Sequence, residues 1–179
     1  MTGIPDDLML NREVLLWVIG ARRQLDRWEF PLAQHTYLGL MEERVPPRLA
    51  WDLDIEHHLA LVACGQVCNA LARAKGKIEP MPDDLTDELV LLRHLHEHRD
   101  ENLTRFAVSW NVALNHKTAK KYATKHPTLS PFGFWSWEGV RGPMLGPDLP
   151  ASRVRDELDR IEREVLARDP TLAEYLPAE

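Results

Sequence analysis

The sequence of 179 residues has only two cysteines, Cys64 and Cys68, which are too few for a disulfide scaffold. They lie four residues apart in an apolar stretch, so we expect both thiols to be reduced and packed on one helix face. No window approaches the roughly 20 apolar residues that a membrane span requires. The first residues, with Pro5 followed by two aspartates, do not resemble a secretory signal. These absences predict a cytoplasmic protein without a membrane partner.

An excess of basic residues is also lacking. The chain has 22 Lys and Arg against 28 Asp and Glu, a net charge of −6, which argues against a uniformly basic coat for nucleic acid. One segment is the exception, because residues 103–126 contain no acidic residue and carry a charge of +5. Its five cations are Arg105, Lys117, Lys120, Lys121 and Lys125. The sequence therefore predicts a local basic patch within an acidic protein.

Length and composition predict one domain over residues 1–179, with a core supplied by the 44% of residues that are apolar. Apolar residues recur every three or four positions in several stretches, which is typical of amphipathic helices. We expect Pro31 to interrupt the first of these and Pro46-Pro47 to close the second. The expected helical ranges are 11–28, a less regular 32–43, 52–75, 84–100 and 151–168.

The segment 127–150 breaks this pattern. It holds five prolines and four glycines around Phe132, Phe134, Trp135 and Trp137, so we expect an ordered aromatic loop or a short hairpin instead of a helix. No internal repeat is visible. The sequence thus predicts an all-α antiparallel bundle of four to five helices, with a long Pro/Gly/aromatic loop before the last helix.

Ionisable residues are most concentrated in residues 93–101, where they occupy eight of nine positions. His94 and His98 are four residues apart and share one helix face, whereas His96 lies on the opposite side. Arg93 and Glu97 share the adjacent face and can form an ion pair. A solvated charged face is the simplest interpretation. However, these charged residues belong to a leucine-rich helix that we expect at the centre of the bundle, and this position favours a functional role for them.

The string Arg93-His94-Leu95-His96-Glu97-His98 resembles the Arg-polar-x-x-x-His signature of HEPN domains, which are small helical bundles found in many prokaryotic RNase toxins and defence proteins. Asp54-Ile-Glu56-His57-His58-Leu59 is similar to the start of the preceding helix in HEPN-like proteins. The resemblance covers residues 52–105. The frequent Asn after the arginine is His94 here, which departs from the pattern.

The resemblance implies a metal-independent endoribonuclease that acts across a homodimer interface and needs no cofactor. His98 would be the general acid or base at the ribose 2′-OH, Arg93 would hold the scissile phosphate, and His94 would assist. Imidazole titrates near neutral pH and guanidinium is a permanently charged planar donor, so both residue types suit RNA cleavage. On one helix Arg93 and His98 point about 140° apart. Two antiparallel copies would bring them together.

RNA is then the expected partner, with Lys117, Lys120, Lys121 and Lys125 contacting its backbone. The aromatic side chains of Tyr122 and of the loop 127–150 offer faces for base stacking. The same lysines and aromatic residues are equally consistent with an ordinary lysine-rich surface that does not bind RNA. A protein antitoxin is a further possible partner.

Two alternatives remain open. His94 and His98 also have the spacing of metal ligands, and His57 or Glu56 would complete a site similar to those of DinB-like helical bundles. The third possibility is a non-catalytic scaffold or regulatory protein that associates through its apolar helices.

Overall fold

The computed structural model describes residues 6–74, 76–97, 136–138, 142–146 and 148–176. Its helices are α1 (Asp6–Leu40), α2 (Pro47–Arg73), α3 (Asp83–Glu97) and α4 (Ala151–Arg168), followed by a 3-10 helix over Pro170–Tyr175. This confirms the predicted all-α bundle. The expected bounds of the last helix agree with those of α4. None of the described helices has both the length and the apolar content that would carry it across a membrane.

α1 and α2 form a long antiparallel hairpin, and its first helix corrects an expectation. Pro31 does not interrupt α1, which continues to Leu40. A proline inside a helix removes one hydrogen bond and crowds the preceding turn. Here Trp28 and Leu32, on either side of it, are 0% and 1% exposed. Because both half-helices are anchored in the same core, tertiary packing outweighs the local cost of the proline.

The loop before α4 contains a small antiparallel sheet in the order β1 (Ser136–Glu138), β2 (Gly142–Gly146) and β3 (Leu149–Pro150). Trp137 pairs with Pro143, and the register shifts between Met144 and Gly146. A short hairpin was one of the two expected forms of this segment. The observed sheet has one strand more than a hairpin.

The core lies between the four helices and the sheet. Leu145 of β2 and Leu149 of β3 are fully buried together with Leu158 of α4. Ion pairs flank this core on the surface: Arg22 of α1 bonds Asp159 and Glu162 of α4. Such partly exposed pairs contribute little each, so apolar burial is the main stabilising term.

Candidate functional site on helix α3

The candidate site is built on the last turn and a half of α3. Leu85, Leu89 and Leu92 are fully buried and fix the rotation of this helix against α2. Arg93 follows directly after this apolar row and is half-buried. The packing of the leucines therefore turns the Arg93 side chain along the α2 surface.

Gly65 of α2 lies beside the Arg93 side chain. A Cβ at Gly65 would lie 3.0 Å from Nη1 of Arg93, and 3.6 and 3.8 Å from its Cδ and Cζ. The guanidinium thus lies over the α2 backbone, where no side chain intervenes. An isolated glycine within a helical pattern is a recognised signal of close packing. Gly65 was not among the site residues expected from the sequence.

The charge of Arg93 also reaches Cys68, one turn further along α2. Burial raises the pKa of the Cys68 thiol, while a hydrogen bond with Thr86 and the nearby Arg93 cation act in the opposite direction. Burial raises the pKa of Cys64 to about 12. Both cysteines are free, and Cys64 is fully buried. The expected packing role of the two thiols is confirmed.

The other motif residues are described only in part. His94 lies within α3, but the structure does not describe its side chain. His98 lies outside the described residues, as do Lys117, Lys120, Lys121 and Lys125. Whether Arg93, His94 and His98 meet at one phosphate therefore remains a prediction.

His57, the expected contributor to a metal site, is a core residue. It is 0% exposed, and its Nε2 atom lies 2.9 Å from the carbonyl oxygen of Leu145. Because a carbonyl oxygen only accepts, Nε2 carries the proton and donates it, so it is not available as a metal ligand. The His57 ring also packs against Trp28, with centroids 5.6 Å apart. This histidine ties α2 to strand β2.

Glu56, the other suggested ligand, faces α1. Its carboxylate accepts hydrogen bonds from Gln24 and, at 3.1 Å, from Arg27. Within the described ranges, no group of three or more His, Cys, Asp and Glu side chains has the arrangement of a metal site. The combination of His57 with His94 and His98 depends on side chains that the structure does not describe.

An open groove of about 460 Å³ lies at the tip of the α1–α2 hairpin, and Arg93 is not among the residues that line it. Tyr37 and Leu38 line it from α1, and Arg48, Leu49 and Asp52 line it from α2. None of these residues was expected from the sequence to form a site, because their proximity depends on how the two helices meet.

Comparison of the chain with protein-family models, with curated proteins and with solved structures gives no match in any of the three.

Proposed function

We propose that this protein is a HEPN-like endoribonuclease that cleaves RNA without a metal ion and forms its site from two copies of the chain. The observation that supports it is the placement of Arg93, whose guanidinium lies over Gly65 with Nη1 3.0 Å from the position of a Cβ. A guanidinium held against a helix backbone is preorganised to stabilise the charge that develops on a phosphate. Its half-burial leaves part of the side chain accessible.

The second component is a proton acceptor for the 2′-OH, and His98 has this role in the proposal. An imidazole that titrates near neutral pH contributes about 10²- to 10⁴-fold to such a reaction. Arg93 and His98 are five positions apart, so an ideal helix directs them about 140° from each other. A phosphate held by Arg93 of one copy therefore meets His98 of the other, while His94 orients the substrate.

The RNA backbone would contact Lys117, Lys120, Lys121 and Lys125. These lysines belong to the segment 103–126, which carries five cations and no acidic residue. A protein antitoxin that covers this segment would inhibit the enzyme by competing with RNA.

Incubation of purified protein with total RNA in EDTA tests this function. Wild type should cleave the RNA, and His98→Ala should lose the cleavage. His35→Ala is the control and should keep it, because His35 belongs to α1 and has no part in the proposed site. Intact RNA with the wild type would contradict the proposal. Activity that disappears in EDTA and returns with zinc would favour the metal-binding alternative instead.

A non-catalytic scaffold is the second candidate, and a different observation favours it. Among residues 33–52, at the tip of the α1–α2 hairpin, none is buried. Tyr37, Leu40 and Trp51 are 62%, 78% and 73% exposed there. Large exposed apolar patches often mark protein-binding surfaces. Under this function, Arg93→Ala and His98→Ala would leave partner binding unchanged.

A further inference from the structure

The packed junction between α2 and the start of α3 contains three sulfur-containing side chains. Cys64 and Cys68 are about one helical turn apart on the same face of α2. Met81 lies in the connection between the two helices, and its thioether contacts the Cys68 thiol, with Sγ and Sδ 3.8 Å apart. Cys64 and Met81 are 0% and 2% exposed, whereas Cys68 is half-buried. We name these three residues the sulfur triad.

The spacing of these sulfur atoms suits a single metal ion. A metal–sulfur bond of about 2.3 Å separates two ligand sulfurs by about 3.8 Å in a tetrahedral site and by about 4.0 Å in a trigonal one. The distance between Cys68 Sγ and Met81 Sδ is 3.8 Å. Side chains four residues apart in a helix have Cβ atoms about 5–6 Å apart, so the Cys64 sulfur can reach the same point. The Cys68 thiol is near enough to add to the effect of burial in raising the pKa of Cys64.

The donor atoms of the sulfur triad indicate which metal would bind. Two thiolates and a thioether are soft ligands, and such ligands select Cu(I). Zinc takes four ligands from Cys, His and carboxylate side chains, and methionine is not among them. Over the ranges that the structure describes, no three such side chains are grouped as a metal site. The donor set therefore favours Cu(I) over Zn(II).

We propose that the sulfur triad binds one Cu(I) ion, with the sulfur atoms of Cys64, Cys68 and Met81 as its three ligands. Each thiol releases one proton to solvent on binding, and the copper keeps its oxidation state. Two thiolates and one Cu(I) together carry one negative charge. The half-buried Cys68 gives the ion access from the surface.

A cation lies near enough to compensate this negative charge. Burial raises the pKa of the Cys68 thiol, and the Arg93 cation acts in the opposite direction. Arg155 has the same effect at Cys64, but it is already paired with two carboxylates of α1. Arg93 is therefore the main counter-charge of the copper complex. The site does not depend on the proposed nuclease function, because none of its three ligands takes part in that reaction.

Competition with the chelator bicinchoninate tests this site in the full-length protein. Cu(I) is supplied without oxygen as its coloured bicinchoninate complex, and loss of colour measures transfer of copper to the protein. Wild type should take up one Cu(I) per chain, since the chelator keeps copper from weak surface sites. Cys64→Ala and Cys68→Ala should each lower the affinity at least about a hundredfold, because losing an outer-shell partner alone costs about 10- to 100-fold.

Met81→Leu removes the thioether but conserves the volume of this core position, so it tests the site even if an alanine variant does not fold. It should lower the Cu(I) affinity at least about tenfold. Met144→Leu is the matched control, because Met144 is equally buried but belongs to β2. It should leave the affinity unchanged. X-ray absorption should show three sulfur ligands at about 2.3 Å in wild type and two in Met81→Leu.

Several results would overturn the proposal. Wild type that takes no copper from bicinchoninate has no such site. Cysteine variants that bind as tightly as wild type would place the copper elsewhere in the chain. Equal effects of Met81→Leu and Met144→Leu, or only two sulfur ligands in wild type, would exclude Met81 as a ligand.

Discussion

The guanidinium of Arg93 lies over Gly65, with Nη1 only 3.0 Å from the point where a Cβ would stand. A buried glycine in the middle of α2 costs helix stability, because glycine loses more backbone entropy than alanine. The space it leaves is occupied by the Arg93 side chain. Gly65 thus lowers the local stability of α2 at the position where this helix orients the guanidinium of Arg93, a candidate catalytic residue.

Gly65→Ala should therefore interact energetically with Arg93. In wild type the added methyl group meets Nη1 and forces a shift of a few tenths of an ångström. In an Arg93→Ala background it should stabilise the protein by about 1 kcal/mol, the usual difference between the two residues in a helix. Urea unfolding of the four proteins would measure the coupling, which we expect to be about 1 kcal/mol.

Gly20→Ala is the matched control for Gly65→Ala in these measurements, because nothing lies within 4 Å of a Cβ at Gly20 of α1. It should give the same gain with and without Arg93. Additive effects of Gly65→Ala and Arg93→Ala would show that the two positions do not influence each other.

His57 should be far more important for stability than its neighbour His58. His57→Ala removes the hydrogen bond to Leu145 and leaves a cavity beside Trp28, so we expect a loss of about 3 kcal/mol in the free energy of unfolding. His58 is only half-buried, and His58→Ala should cost about 1 kcal/mol or less. Chemical denaturation of both variants would measure this difference. Equal losses would contradict the role of His57 as the link to strand β2.

The free energy of unfolding should fall at alkaline pH because of Cys64. Burial raises the pKa of this thiol from 9.0 to about 12. Between these two pH values the unfolded chain loses the proton while the folded protein keeps it, so stability decreases as pH rises, by at most about 1.4 kcal/mol per pH unit. Below pH 9 Cys64 should not change how the free energy of unfolding depends on pH.

Urea unfolding from pH 8 to 11 would test this slope. Cys64→Ala should lower stability at pH 8 but flatten its decrease above pH 9, relative to wild type. An identical decrease in wild type and variant would show that other groups cause it.

Lys120 and Lys121 should contribute to RNA affinity through charge alone. Each lysine that contacts a phosphate of single-stranded RNA adds about 0.7 to the slope of log affinity against log salt concentration. The double variant Lys120→Ala/Lys121→Ala should therefore lower the slope by about 1.4. Arg44→Ala/Arg48→Ala removes two cations outside the segment 103–126 and should leave it unchanged. Equal slopes for wild type and the lysine variant would exclude this contact.

The helical architecture was predictable because local and global preferences agree. In α4 the apolar positions Val154, Leu158, Ile161 and Val165 recur at helical spacing, and all four are buried. Its expected and observed bounds are the same, Ala151 to Arg168. Such agreement across levels is typical of elements that a sequence specifies strongly.

The features that sequence alone did not predict depend on tertiary contacts. Pro31 was expected to end a helix, but the buried Trp28 and Leu32 keep α1 continuous. The hydrogen bond of His57 joins it to a carbonyl group 88 residues away in the chain. The close approach of Arg93 to Gly65 likewise depends on how α3 packs against α2. The partners of His57 and Arg93 are not adjacent to them in sequence.

Mixing two inactive variants tests the proposed shared site most directly. Arg93→Ala and His98→Ala should each fail to cleave RNA in EDTA. After subunit exchange, half of the dimers contain one copy of each, and one of their two sites has both Arg93 and His98 intact. We expect recovery of about a quarter of the wild-type activity, as random assortment into dimers gives. A mixture that stays inactive while wild type cleaves, or a wild type without activity, would contradict the account.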